Sequence, residues 1–143
     1  MNLASSWQFW AVLSAVFAAL TAIFAKVGVE HVNADFATFI RTIVILATLA
    51  SILLVTGQFQ SPGSISSRTY LFLLLSGLAT GASWICYFRA LKIGEAAKVA
   101  PIDKLSVVLV AMFGVLFLGE KLTAPNWLGV ALIAVGAILV AYR

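Results

Sequence analysis

Chemistry-bearing side chains are scarce in this sequence: one histidine, one cysteine and five Asp or Glu among 143 residues. The acids are Glu30, Asp35, Glu95, Asp103 and Glu120, and most fall in connections between apolar runs. Such a set composes no nucleophile with its base, no metal shell and no pair of catalytic carboxylates, and no glycine-rich phosphate loop is present. An enzyme is therefore not expected, and neither is a metal or a cofactor. A lone cysteine, Cys86, allows no disulfide within the chain and is expected to pack rather than react. His31 stands alone in a connection, which predicts no metal site. Charge is thin as well: 10% of residues are charged against 63% hydrophobic, with a mean hydropathy of +1.11. That is more apolar surface than a soluble domain of this length can hide.

What is present in quantity is long apolar runs, at 7–25, 36–55, 70–91, 99–118 and 125–142. At 1.5 Å per residue each covers about 27 to 33 Å, the thickness of a bilayer's hydrocarbon core. Lipid offers the backbone no hydrogen-bond partner, so a spanning segment is a helix or part of a closed barrel. Barrel strands alternate polar and apolar residues over roughly ten positions, and none of these runs does. The sequence predicts an all-α integral membrane protein, a bundle of five transmembrane helices in one domain over 1–143. The uncharged "MNLASS" and the length of the first run predict a retained helix rather than a cleaved signal. Connections at 26–35, 56–69, 92–98 and 119–124 are short, and "GQFQSPGSISS" in the second reads as a mobile surface loop.

Five crossings put the two chain ends on opposite sides. Lys26, Arg41, Arg89, Lys92, Lys98, Lys104 and Arg143 then lie on or near one side, Arg68 and Lys121 on the other. The positive-inside rule makes the richer side cytoplasmic, leaving the N-terminus outside a cell (inner) membrane and the C-terminus inside. This topology accounts for the pI near 9.6 without a nucleic-acid partner.

The stretch "AAKVAPIDKLSVVLV" places Asp103 and Lys104 at the edge of the fourth run. Neighbours in sequence are about 100° apart on a helix, so the two are not expected to face each other. Pro101 allows two readings. Either it lies inside a helix that begins near Glu95 and breaks a turn, or it opens a helix whose first turn holds Asp103. Lys26 and Lys92 are expected to snorkel toward headgroups. Arg41, about five residues inside the second run, has no charged neighbour at helical spacing, and Arg89 has only Lys92 beside it. We expect Asp103 to tie down one base, Arg41, while the remaining positive charge lines a cytoplasmic vestibule that attracts a carboxylate or another anion.

In the third run Ser76, Thr80, Ser83 and Tyr87 form a polar stripe at helical spacing with Trp84 beside it, and Thr21 is a weaker counterpart in the first. Gly77 with Gly81, and Gly129 with Gly136, are placed for close helix packing. Trp7, Trp10, Trp127 and Tyr142 fit interfacial belts. Asp35 is expected to cap the second helix.

Three segments, "AIFAKVGVEHVNADFATFIRT", "WICYFRALKIGEAAKVAPIDKLSVVLV" and "LFLGEKLTAPNWLGVALIAVGAILVA", resemble the EamA domain of the drug/metabolite transporter superfamily, in its single-domain, five-helix form. The resemblance implies export of amino acids or other small metabolites. It places Glu120 in the family's LGE signature and Lys26, Arg41, Asp103 and Lys104 at recurrent polar positions. A single domain lacks the second half of a repeat interface, so a carrier implies a homodimer or pairing with a related subunit. A small multidrug cation antiporter would hold a carboxylate within 7–25, and none is there. The expectation is a carrier that moves a small polar solute by alternating access along Thr21, Arg41, Thr80, Ser83, Trp84, Tyr87, Arg89, Asp103, Lys104 and Ser106, with Pro101 as hinge. The competing expectation is a non-transporting accessory or assembly subunit.

Overall fold

A computed structural model of the chain describes residues 6–142. Its helices are α1 (Trp7–Val29), α2 (Ala34–Thr56), α3 (Ser67–Ile93), α4 (Ala96–Asp103), α5 (Ser106–Phe117) and α6 (Ala124–Ala141), with a 3-10 turn at Pro62–Ser64 and no strand among the described residues. Five helical segments are long and apolar enough to cross a membrane, α4 and α5 together forming the one at Ala96–Phe117. The fold class read from the apolar runs is therefore the observed one. The first three helices outrun their apolar segments, because residues such as Lys26, Ser67, Arg68 and Lys92 continue a helix readily and only a cap ends it.

The caps explain the boundaries. Asn33 opens α2 with extended backbone angles, φ −60° and ψ 132°, and its Oδ1 accepts from the N–H groups of Asp35 at 2.9 Å and Phe36 at 3.1 Å. This corrects the assignment of the cap to Asp35. An N-cap must sit outside the helix to reach back to its free N–H groups, and Asp35 is already inside the first turn. At the other end of α2 the Gly57 N–H reaches Leu54 O and the Gln58 N–H reaches Leu53 O at 3.1 Å, a Schellman arrangement. Ser66 Oγ accepts from the Thr69 N–H at 3.1 Å at the start of α3, and Tyr70 Oη donates to Pro62 O at 3.0 Å, fastening the preceding turn.

Of the two readings of Pro101, the structure realises the first: Glu95 flanks the start of α4 and Pro101 lies inside it. Proline offers no N–H to the Ala97 carbonyl, and in place of the regular ladder the chain tightens. Lys104 N–H reaches Pro101 O at 3.1 Å, Leu105 N–H reaches Ile102 O at 3.0 Å, and Val107 N–H reaches Lys104 O at 3.0 Å. These closures over three residues are the 3-10 pattern, and they break the span into α4 and α5.

The chain falls into two compact units, one made of Ala25–Lys92 and the other of the chain before and after it. In the second of these, α4 and α5 both pack on α6. Gly114 of α5 is buried, and a Cβ there would fall 2.5 Å from Glu120 Oε2. Gly119, at φ 67°, turns the chain so that the Glu120 N–H reaches Gly114 O at 3.1 Å. In the Ala25–Lys92 unit the buried side chains are Ala25, Val29, Ala34, Thr38, Phe88 and Leu91, at the end of α1, the start of α2 and the end of α3. Most other apolar side chains along the spans are exposed, as suits a chain whose surrounding solvent is hydrocarbon. Hydroxyls within α2 turn inward to their own backbone: Thr38, Thr42, Thr48, Ser51 and Thr56 each donate to the carbonyl four residues earlier, at 2.8 to 2.9 Å.

Replacing Asn33 by Ala should cost about 1 kcal/mol, the usual value of an N-cap. Reversible unfolding in mixed micelles checks it, and a loss within error of zero would show that α2 starts without this cap.

Candidate functional site

The Ala25–Lys92 unit concentrates its basic side chains at one end, where α1 finishes, α2 starts and α3 finishes. Lys26 Nζ donates to Leu91 O at 2.7 Å and Lys92 Nζ donates to Val32 O at 2.5 Å. Arg89 makes a two-pronged contact with Asp35, Nε to Oδ1 at 2.8 Å and Nη2 to Oδ2 at 2.6 Å. Each partner has a physical reason. The last carbonyls of a helix have no intrahelical donor and lie at its negative dipole end, so an ammonium group satisfies Leu91 O. Asp35 sits in the first turn of α2, where the positive end favours an acid, and a carboxylate matches the fork of a guanidinium.

These contacts correct two expectations. Lys26 and Lys92, expected to snorkel toward headgroups, each donate to a backbone carbonyl of their own unit. Arg89 is paired: its countercharge comes from 54 residues away, beyond any helical spacing.

Arg41 is different. It is the eighth residue of α2, about 10 Å along the axis from the helix start. It is half-buried, and its Cζ lies 4.3 Å from the ring centroid of Trp84 and 5.4 Å from that of Phe88. Trp84 and Phe88 are four apart on α3 and so share a face. Thr38, one turn before Arg41, is buried with its hydroxyl donating to Ala34 O at 2.9 Å. Among the described residues of this unit no carboxylate lies within 4 Å of the guanidinium. A cation–π contact contributes about 0.5 to 2 kcal/mol. A charge at mid-helix in a membrane costs about 2.5 to 3.5 kcal/mol on insertion scales. The rings therefore offset only part of that cost.

In the other unit Asp103 and Lys104 pair, Nζ to Oδ2 at 3.1 Å. They were expected to point apart. Lys104 lies in the tight turn that follows α4 rather than in a regular helix, and its flexible stem folds back onto its neighbour. Asp103 was expected to tie down Arg41; within its own unit its ion pair is with Lys104.

The remaining residues read from the sequence differ in exposure. Thr21, Trp84 and Tyr87 are half-buried, whereas Thr80 and Ser83 of α3 and Ser106 of α5 are exposed. Thr80 Oγ1 donates to Ser76 O at 2.9 Å. A Cβ added at Gly77, Gly81, Gly129 or Gly136 would meet no atom within 4 Å. Trp7, Trp10, Trp127, Tyr142 and Cys86 are exposed. Among the described residues no three His, Cys, Asp or Glu side chains gather as a metal site would need. Arg143, counted in the charge asymmetry, lies outside the described residues.

The Asp35–Arg89 contact predicts a charge-swap result. Asp35→Arg and Arg89→Asp should each lower the thermal unfolding midpoint in detergent, and the double substitution should recover part of the loss. Strictly additive losses would show that the two side chains are energetically independent.

Comparison with known proteins agrees with this architecture. A Sinorhizobium protein described as an uncharacterized transporter in the region 3′ of cobO is 69% identical over 139 residues, covering 97% of this chain and 99% of that one. An uncharacterized protein of Methanocaldococcus jannaschii is 28% identical over 127 residues, covering 89% of this chain and 90% of its own. No solved structure matches the chain. The profile of the EamA-like transporter family matches residues 5–142, nearly the whole sequence. With five helical segments able to cross a bilayer and a strongly similar relative described as a transporter, this chain belongs to the EamA-like transporter family.

Proposed function

We propose that the protein is a carrier for a small polar metabolite, an amino acid or related solute, which it exports by alternating access as a homodimer or with a related subunit. The observation that carries this reading is Arg41, a cation held inside a span against aromatic rings with no carboxylate partner in its unit. Charges kept at membrane depth usually face a solute path or a watery cavity. In the Ala25–Lys92 unit the solute-facing residues are Arg41, Thr80, Ser83, Trp84, Tyr87 and Arg89. In the other unit the tight turn after Pro101, with Asp103, Lys104 and Ser106, supplies the bend that such a carrier needs. Broken helices of this kind recur where carriers change their opening. In this reading the protein lies in the inner membrane, its basic cluster of Lys26, Arg89 and Lys92 faces the cytoplasm, its N-terminus is outside and its C-terminus inside; the positive-inside rule supports that orientation.

A second reading, a non-transporting accessory subunit, draws on Gly77, Gly81, Gly129 and Gly136. At each of these there is room for an added Cβ, as a surface that meets another membrane protein would have. Counterflow assays in proteoliposomes with labelled amino acids separate the two, since a subunit without a pathway produces no flux.

The hinge role has its own test. Pro101→Ala restores an N–H for the Ala97 carbonyl and straightens the span, so exchange should slow about tenfold, the effect of ~1.4 kcal/mol on a barrier. Insertion should be unaffected. Exchange at the original rate would remove Pro101 from the mechanism.

A further inference from the structure

The bases of the Ala25–Lys92 unit divide by what they hold. Lys26 and Lys92 are bonded to backbone carbonyls at the helix ends, and Arg89 is bonded to Asp35. Arg68 stands in the first turn of α3, its guanidinium 5.9 Å from the Phe72 ring. Arg41 alone among them lies well inside a span, with the ring faces of Trp84 and Phe88 against its guanidinium. A ring face attracts the cation but supplies no oxygen to its N–H groups, so the contacts with Trp84 and Phe88 leave those donors available to a ligand.

The geometry selects the ligand. A guanidinium presents parallel N–H donors that match the two oxygens of one carboxylate, and such a pair is stronger where water is scarce. Trp84 and Phe88 hold the head in place before the ligand arrives, which reduces the ordering needed on binding. At helical spacing on α2 the neighbours are Ala37, Thr38, Val44 and Ile45, with no base among them, and Arg89 of α3 has its fork taken by Asp35, which leaves no matching site for a second acid. A cation would meet the like charge of Arg41.

We infer that Arg41, seated on Trp84 and Phe88, binds the carboxylate of the carried solute, and that the carrier selects solutes with one carboxylate over dicarboxylates, neutral amides and amines. This rests on the carrier reading and names its substrate class.

A matched series tests it with the purified full-length protein: benzoate, benzamide, phthalate and benzylamine, read by thermal unfolding. Benzoate at millimolar concentration should raise the midpoint of the wild-type protein and the other three should not. Arg41→Gln should lose the benzoate shift while Arg68→Gln keeps it. Arg41→Lys, which preserves the charge and removes the fork, should bind benzoate about tenfold more weakly, as expected for the loss of one charge-assisted hydrogen bond. It serves as the deciding variant if Arg41→Gln does not fold. Equal shifts from benzamide, or a benzoate shift untouched by Arg41→Gln or Arg41→Lys, overturn the assignment. Counterflow of labelled benzoate in proteoliposomes keeps the two claims apart. Arg41-dependent binding without flux supports the carboxylate site and sinks the carrier reading. Flux of a labelled solute that lacks a carboxylate, unchanged in Arg41→Gln, supports a carrier and sinks the site.

Discussion

A positive charge inside a hydrocarbon layer must find a partner, and the ways in which four bases do so organise the Ala25–Lys92 unit. Three of them solve the problem at the helix ends, where carbonyls and a first-turn acid are available as acceptors. In doing so they fasten the finish of α1, the start of α2 and the finish of α3 around the buried side chains Val29 and Leu91. The fourth, Arg41, is too far along α2 for those acceptors and rests on rings instead. Bonded charge thus sits at the tips and the ring-seated guanidinium about two turns in.

That separation explains how much was legible in the sequence. The five apolar runs predicted the spans because their length and lack of charge leave a bilayer as the only solvent that suits them. The place of Arg41 inside the second run, and the helical spacing that gives it no countercharge on its own helix, were equally plain. The partner of Arg89 was not, since spacing rules describe one helix and Asp35 belongs to another. A signal did exist, because the start of the second helix and the end of the third must lie on the same side of the membrane. The Asn33 cap was hidden for a more local reason. Asn33 and Asp35 are both good capping residues, and backbone angles decide between them.

Pro101 shows a different limit. Both a helix beginning at proline and a helix broken by it are physically sound, and composition alone did not choose. The good helix formers of "EAAK" before it tip the balance, and the tight turn at Lys104 and Leu105 follows three residues later. That turn also brings Lys104 onto Asp103, so an ion pair that helical geometry forbids becomes possible once the helix is interrupted.

The inward-turned hydroxyls of α2 bear on how such a chain could move. Thr42, Thr48, Ser51 and Thr56 bond within the helix that carries them. Their bonds travel with the helix, so sliding or rotating it against lipid breaks none of them. A segment rich in threonine can in this way be slippery on its outside, polar in composition yet asking nothing of its surroundings.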